Sequence, residues 1–313
     1  MPLDRQRRKF LTEDGVEIAE STLCDIIERT AFWIEPVYNI ILEKIRKSAY
    51  LQADETTIPV QVRDKKGKTH TGYFWVYYDP VNDWVIFDYR PGRSRAGPRE
   101  ILKDFNGILQ VDGYAGYNEQ LSRPEIAWAA CMAHVRRKFK DALECDPQRG
   151  EYALHAIGKW FRREAMVKKV KMPPERRLSM RKKHIVPFMK SFHDWLKKEY
   201  AKGLPQNPMT KAIAYALNQW PGFMPFMTDG RVELSNNLVE NAIRPVALGR
   251  NNYLFKGSHQ AAQRAAMIYS IFAMVLKRNI DPFVYLNDLL TRLPAMSNHN
   301  LDMFLPDIWK LPE

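Results

Sequence analysis

The stretch Gly107–Asn118, GILQVDGYAGYN, decides how this chain folds. Ile108, Leu109 and Val111 read as a short apolar strand bounded by turn residues, and it ends on an ionisable side chain, Asp112. An Asp followed by Gly commonly begins a turn, so the pair alone leaves two readings open: a turn residue, or an acid set at a strand end for chemistry. The surrounding strands bear on the choice. From Tyr50 the period changes from helical to strand-like through AYLQADET, IPVQVR, KTHTGYFWVYYDP and DWVIFDYR, joined by the short turns DKKGK and DPVND, so an antiparallel meander of three strands is expected. A short helix, GPREILKDF, leads into the fourth strand, GILQVDG; after YAGYNEQL come a fifth strand, IAWAACM, and a basic helix, AHVRRKFKDAL. Crossovers place the last two strands parallel to the first in a mixed sheet, with the first and fourth strands as neighbours.

Composition narrows the class. With 313 residues, 45% of them hydrophobic, the chain can bury a substantial core as one large domain or two ordinary ones. No apolar run approaches the roughly 18 residues of a membrane span, and the opening MPLDRQRRKF lacks the apolar core of a signal peptide, so a cytoplasmic protein without a membrane partner is expected. Cys24, Cys131 and Cys145 form no Cys-x-x-Cys pair, which argues against a disulfide framework or a zinc knuckle and predicts buried thiols. The net charge is +12, and Lys159–Lys202 alone holds 15 Lys+Arg against 4 Asp+Glu, a surplus of 11. Such a block reads either as a solvated helical face or as the footprint of a polyanion, nucleic acid first among them.

Before the sheet, RQRRKFLTEDGVEIAESTLCDIIERTAFW predicts a basic helix, a turn at Gly15 and a second helix capped by Ser21 or Thr22, with VYNIILEKIRKSA as a further helix. This fits a DNA-contacting helix-turn-helix and equally two ordinary packed helices. After the sheet, the chain from about Cys145 to Met227 is helical, basic and punctuated by Pro173, Pro174, Pro187 and Pro205. FMTDGRVEL then predicts a small hairpin with an Asp-Gly turn, and from Ser235 a helix, SNNLVENAIRPVALGR, is followed by QRAAMIYSIFAMVLKRN. The resulting organisation is an N-terminal helical segment (1–48), a first core part (49–145), a helical basic insertion (146–228), completion of the core (229–294) and a tail (295–313).

Three acids belong together on this plan. Asp54 lies in the first strand and Asp112 ends the fourth, so both face the crevice at the sheet's edge. Two carboxylates that close repel unless a cation neutralises them, and a hard divalent ion such as Mg²⁺ suits oxygen donors. A third acid would hold a metal pair about 3.5 to 4 Å apart. Glu240 fits, near the start of a helix that Ser235 or Asn236 would cap, where the macrodipole favours negative charge; a capping-box role for Glu240 is the alternative. Glu55 adjoins Asp54, but strand neighbours point to opposite faces, so only one of the two can serve. Arg244, one turn after Glu240, would pair with it or reach a phosphate.

The strand order with Asp, Asp and a helical Glu resembles the ribonuclease-H-like core of DDE transposases and retroviral integrases. More narrowly, QADETTIPV, VDGYAGYN, AHVRRKF and NNLVENAIRPVALGRNNYLF resemble the transposases of insertion sequence 66, from about Pro2 to Pro294. The resemblance implies an α/β fold with a ribonuclease-H-like mixed five-stranded sheet flanked by helices, an inserted basic all-helical subdomain and an N-terminal helical segment. It implies that Asp54, Asp112 and Glu240 are both the catalytic residues and the ligands of two Mg²⁺ or Mn²⁺ ions. It implies a DNA transposase that cleaves element ends and transfers strands into target DNA, acting as a homo-oligomer on double-stranded DNA, with accessory proteins of the same element, in the bacterial nucleoid. Two alternatives share the core: a catalytically idle DNA-binding remnant and a structure-specific nuclease. Family members usually carry, upstream of PLDRQ, a helical zipper and a cysteine-rich zinc element; neither is in this sequence, so weakened recognition of element ends is expected.

The phosphate-contacting set expected alongside the acids is Arg136, Arg137 and Lys138 of the basic helix, Lys168, Lys169, Arg181, Lys182 and Lys183 of the insertion, and Arg244, Arg250 and Lys256 beyond Glu240. Tyr253 and Phe255 either stack on a base or pack in the core along a strand. His134 reads as a capping or packing residue, since no second His or Cys lies at ligand spacing, and Asp83, Asp88 and Asp104 read as turn or surface acids. No Gly-x-x-x-x-Gly-Lys-Ser/Thr loop or Gly-x-Gly-x-x-Gly turn supports nucleotide hydrolysis or dinucleotide redox chemistry.

Overall fold

The computed structural model describes residues 2–62, 67–296 and 298–311. In chain order the elements are α1 (Leu3–Glu13), α2 (Glu20–Arg46), β1 (Tyr50–Gln61), β2 (Thr69–Asp79), β3 (Trp84–Arg90), α3 (Ala96–Ile101), β4 (Gly107–Gln110), α4 (Asn118–Leu121), β5 (Ile126–Ala129), α5 (Met132–Asp141), α6 (Pro147–Lys169), α7 (Pro174–His184), α8 (Val186–Ala201), α9 (Pro208–Gln219), α10 (Met224–Thr228), α11 (Asn237–Tyr253), α12 (His259–Lys277) and α13 (Pro282–Arg292). The strands form one mixed sheet in the order β3-β2-β1-β4-β5, flanked by helices. β1, β4 and β5 run parallel, with Leu51 opposite Leu109 and Leu109 opposite Trp128, while β2 and β3 are antiparallel. This is the expected ribonuclease-H-like α/β fold. Part of the DKKGK turn, residues 64–66, lies outside the described residues.

The chain divides into two compact units, one of Met1–Ser48, Ala53–Phe105 and Val239–Glu313, the other of Ala49–Gln52 with Asn106–Leu238. In the first, β2 carries a continuous buried run, Phe74–Tyr77, as a strand covered on both faces should. Its edge neighbour β3 is protected by side chains. The Phe87 amide donates to Ser270 Oγ of α12 at 2.8 Å, and the Phe87 carbonyl accepts from Tyr38 Oη of α2 at 3.0 Å, so the backbone of Phe87, midway along this edge, is satisfied without another strand. In the second unit, helices α5 to α9 share one core with the end of β5. Trp160, Phe192 and Trp220 lie at its centre, with Phe192 edge-on to Trp160 at a centroid distance of 5.3 Å.

Several local expectations change. The N-terminal segment is two helices, because the second runs unbroken through Pro36 into the expected third; Ala19, not Ser21 or Thr22, precedes it, and no side chain caps it. FMTDGRVEL forms no hairpin: α10 ends at Thr228, and the residues that follow are held by side chains rather than by a partner strand. Cys131 alone of the three thiols is buried, whereas Cys24 and Cys145 are exposed. Asp88 is no surface acid, since its side chain is 14% exposed and burial, opposed by Arg90, pushes its carboxyl up to about 6.

Candidate active site

β4 opens at Gly107 because a side chain there would stand 2.5 Å from the Ala49 carbonyl oxygen, closer than atoms approach. The strand then pairs with β1 as far as Gln52 opposite Gln110. Asp112 follows two residues later, half-buried, with the Val111 amide still donating to the Ala129 carbonyl at 3.1 Å. Its Oδ1 accepts from the Tyr114 amide at 2.9 Å, a local turn made possible by Gly113 at φ +90, where a Cβ would crowd the Gln219 side chain. The turn role of an Asp-Gly pair is therefore real. It uses one of two carboxylate oxygens, which together offer about four acceptor sites. Tyr215 of α9 donates its hydroxyl to the Asp112 carbonyl at 3.1 Å; burial first, and then the Asp112 charge, push that phenol up to about 12.

Asp54 lies half-buried in β1, counted two residues beyond Gln52 as Asp112 is beyond Gln110. The adjacent Glu55 has a side chain only 5% exposed and accepts from Arg93 Nε at 2.8 Å. Glu55 thus answers a nearby guanidinium, while Asp54 Oδ1 accepts from the Glu55 amide at 2.8 Å. Glu240 is half-buried in the first turn of α11, where the helix dipole favours an acid. The expected side-chain cap is not supplied by Asn236, which is fully buried with neither amide nitrogen nor oxygen hydrogen-bonded among the described residues. Asp54, Asp112 and Glu240 are hard oxygen donors, the type that suits Mg²⁺ or Mn²⁺. Among the described residues, no group of three or more His, Cys, Asp or Glu stands as a ready-made metal cage.

The segment Val232–Ser235, which leads into α11, is gripped from the insertion. Arg177 donates through two nitrogens to the two Glu233 carboxylate oxygens, each at 3.0 Å, and Arg181 donates to the Val232 and Asp229 carbonyls at 2.8 and 2.9 Å. Both guanidiniums also bind Glu164. Burial alone would raise that carboxyl, but the hydrogen bonds and charge of Arg181 and Arg177 hold it below its usual value.

This arrangement separates the expected phosphate-binding residues. Arg136, Arg137, Lys138, Lys169, Lys182, Lys183 and Arg244 are exposed. Lys168 is exposed too but pairs with Glu233 at 2.6 Å. Arg181 does not belong to a surface: it is fully buried and committed to Glu164 and the backbone, so no phosphate can reach it. Arg250 donates to the Thr57 carbonyl and hydroxyl, each at 2.6 Å, and Lys256 lies 3.9 Å from the centroid of Tyr253, its ammonium lowered to about 8 by burial. Tyr253 ends α11 and bonds the Tyr269 hydroxyl at 2.9 Å; it belongs to no strand, while Phe255 is exposed. His134 sits half-buried in the first turn of α5. Tyr215, Arg177 and Glu233 carry no signal of their roles in the sequence, where only their helical or loop context is readable.

The mixed five-stranded sheet flanked by helices defines the class first, a ribonuclease-H-like α/β core. The chain belongs to the IS66 transposase family, matching the description "Transposase IS66 family" over residues 1–264. It is similar to the uncharacterized protein y4hP of Sinorhizobium fredii, 32% identical over 331 aligned positions that cover 99% of this chain and 59% of that protein. It is similar also to the uncharacterized protein y4qI of the same organism, 30% identical, with 94% and 56% covered. The chain thus spans a little under three-fifths of the length of these two relatives. No described helix is long and apolar enough to cross a membrane.

Proposed function

We propose that this chain carries the catalytic core of a DDE-type transposase that cleaves element ends and joins them to target DNA. The observation that carries the proposal is the family match over residues 1–264, within which all three acids fall, two of them each two residues beyond the same β1–β4 rung. Asp54, Asp112 and Glu240 would hold the divalent ions. When bound, such a pair supplies an activated attacking oxygen and neutralises the leaving one. The chain's own contribution is positioning: β1, β4 and α11 present the acids, and Tyr215 and Gly113 shape the loop that carries Asp112. Exposed Arg136, Arg137 and Lys138 on α5, with Lys169, Lys182 and Lys183 of the insertion, supply cations for DNA phosphates. Double-stranded DNA is the partner, engaged by a homo-oligomer with accessory proteins of the element, in the nucleoid.

The test is Mg²⁺- or Mn²⁺-dependent nicking of plasmid and joining of pre-nicked element ends supplied at high concentration. Asp54→Asn, Asp112→Asn and Glu240→Gln should each lower both reactions by roughly a hundredfold or more, with DNA binding intact or slightly tighter because a negative charge near phosphate is gone. An unmodified protein that binds DNA but neither cuts nor joins is the idle remnant instead, and one that cuts without joining is the nuclease.

A further inference from the structure

On β1 and β4, just ahead of the proposed acids in the chain, three buried polar side chains form a closed set. Tyr50 Oη donates to Gln110 Oε1 at 2.5 Å, and Gln52 Nε2 donates to that same oxygen at 2.9 Å and to Tyr50 Oη at 3.0 Å. All three residues are fully buried. The same groups also meet the backbone leading into α11, the three contacts of Gln52 Nε2 sharing its two hydrogens. Gln52 Nε2 donates to the Ser235 carbonyl at 3.0 Å, Gln110 Nε2 to the Glu233 carbonyl at 2.9 Å, and the Glu233 amide donates to Tyr50 Oη at 3.0 Å. Gln110 Nε2 also reaches the Ala130 carbonyl, just beyond β5, at 2.9 Å. One rung therefore joins β1, β4, the end of β5 and the Glu233–Ser235 segment.

A sheet does not need glutamines at its centre, since apolar residues would pack there without any desolvation cost. Buried polar groups that are fully satisfied rigidify one arrangement and penalise every other, because a shift by one residue would leave several of them unpaired. Three of the four pieces so joined lead, within a few residues along the chain, to one of the three acids: Gln52 precedes Asp54 by two, Gln110 precedes Asp112 by two, and Ser235 precedes Glu240 by five.

We propose that Gln52, Gln110 and Tyr50 are positioning residues, a rung that sets the register of the strand ends and of the α11 lead-in and so holds the three acids for their ions. The proposal rests on the transposase reading for its purpose, though not for its mechanics. Gln52→Met and Gln110→Met keep the volume and remove the hydrogen bonds; Tyr50→Phe removes only the hydroxyl and is the milder variant should either methionine variant fail to fold. Hydrogen exchange read by mass spectrometry should show the amides of residues 233–240 exchanging about tenfold faster in each folded variant. In the nicking assay the half-saturating Mn²⁺ concentration should rise about tenfold, with the rate at saturating metal far less affected. A lowered melting temperature with unchanged exchange at 233–240 and an unchanged metal requirement would mean a merely structural rung and overturns the proposal. If the unmodified protein does not nick, the transposase reading fails by itself, and the exchange measurement still decides whether the rung holds the α11 lead-in, unchanged exchange again overturning it.

Discussion

At Arg181 a guanidinium without exposed surface is spent on Glu164 and on the carbonyls of Phe226, Asp229 and Val232. Replacing it by Ala leaves Glu164 with Arg177 as its remaining guanidinium and the Val232 and Asp229 carbonyls without their buried donor, so Arg181→Ala should cost roughly 3 to 5 kcal/mol in urea unfolding; a midpoint equal to that of the unmodified protein contradicts this. In a sequence, Arg181, Lys182 and Lys183 are three consecutive basic residues, and nothing tells which one turns inward, because the deciding partner lies 17 residues away on another helix. Asp88 carries a second residue-level consequence. Its folded carboxyl titrates at about 6 against an ordinary 3.8, so the fold retains a proton that the unfolded chain releases first. Stability from this group is greatest below about pH 4 and is lost as pH rises towards 6. Asp88→Asn should therefore gain roughly 2 kcal/mol over the unmodified protein at pH 7 and almost nothing at pH 4, measured as the difference between two urea series; a pH-independent difference refutes the assignment.

The elements were legible wherever one signal dominated. The period-two runs of β1, β2 and β3 and the apolar helices after Glu240 needed no tertiary information, whereas DGRVEL carried a good hairpin signal that lost to long-range side chains. Val232 and Glu233 are taken by Arg181 and Arg177, and Gln52, Gln110 and Tyr50 take the rest of that segment, so a turn propensity of a few tenths of a kcal/mol has no say. The insertion's charge surplus was legible as a number but not as a surface. Neutralising Lys169, Lys182 and Lys183 together should flatten the log–log salt dependence of DNA binding by up to about 2.7, at about 0.9 for each phosphate no longer neutralised, without lowering stability, whereas Arg181→Ala should lower stability and leave the slope alone. An unchanged slope in the triple variant moves the DNA surface to another element, with α5 and its Arg136, Arg137 and Lys138 the next to vary.

For the whole molecule, the mixed sheet was readable from strand order, because crossovers between parallel strands dictate neighbours. The candidate acids were readable as an acid within the first strand, one just past the fourth and one at a helix start, and their family pattern supplied the rest. What was not readable is the scaffold that aims them: a rung of two glutamines and a tyrosine whose bonds between β1 and β4 span 58 and 60 residues of chain, and whose bonds to the Glu233–Ser235 segment span 123 and 183, leaving no periodic trace. The central claim is that Asp54, Asp112 and Glu240 jointly hold the ions of a phosphoryl-transfer site, and anomalous diffraction from crystals grown with Mn²⁺ tests it most directly. Manganese peaks with carboxylate oxygens of all three residues at roughly 2.1 Å are expected. Manganese bound elsewhere, or bound near Asp54 and Asp112 with Glu240 turned to the opposite side of the sheet, would contradict it.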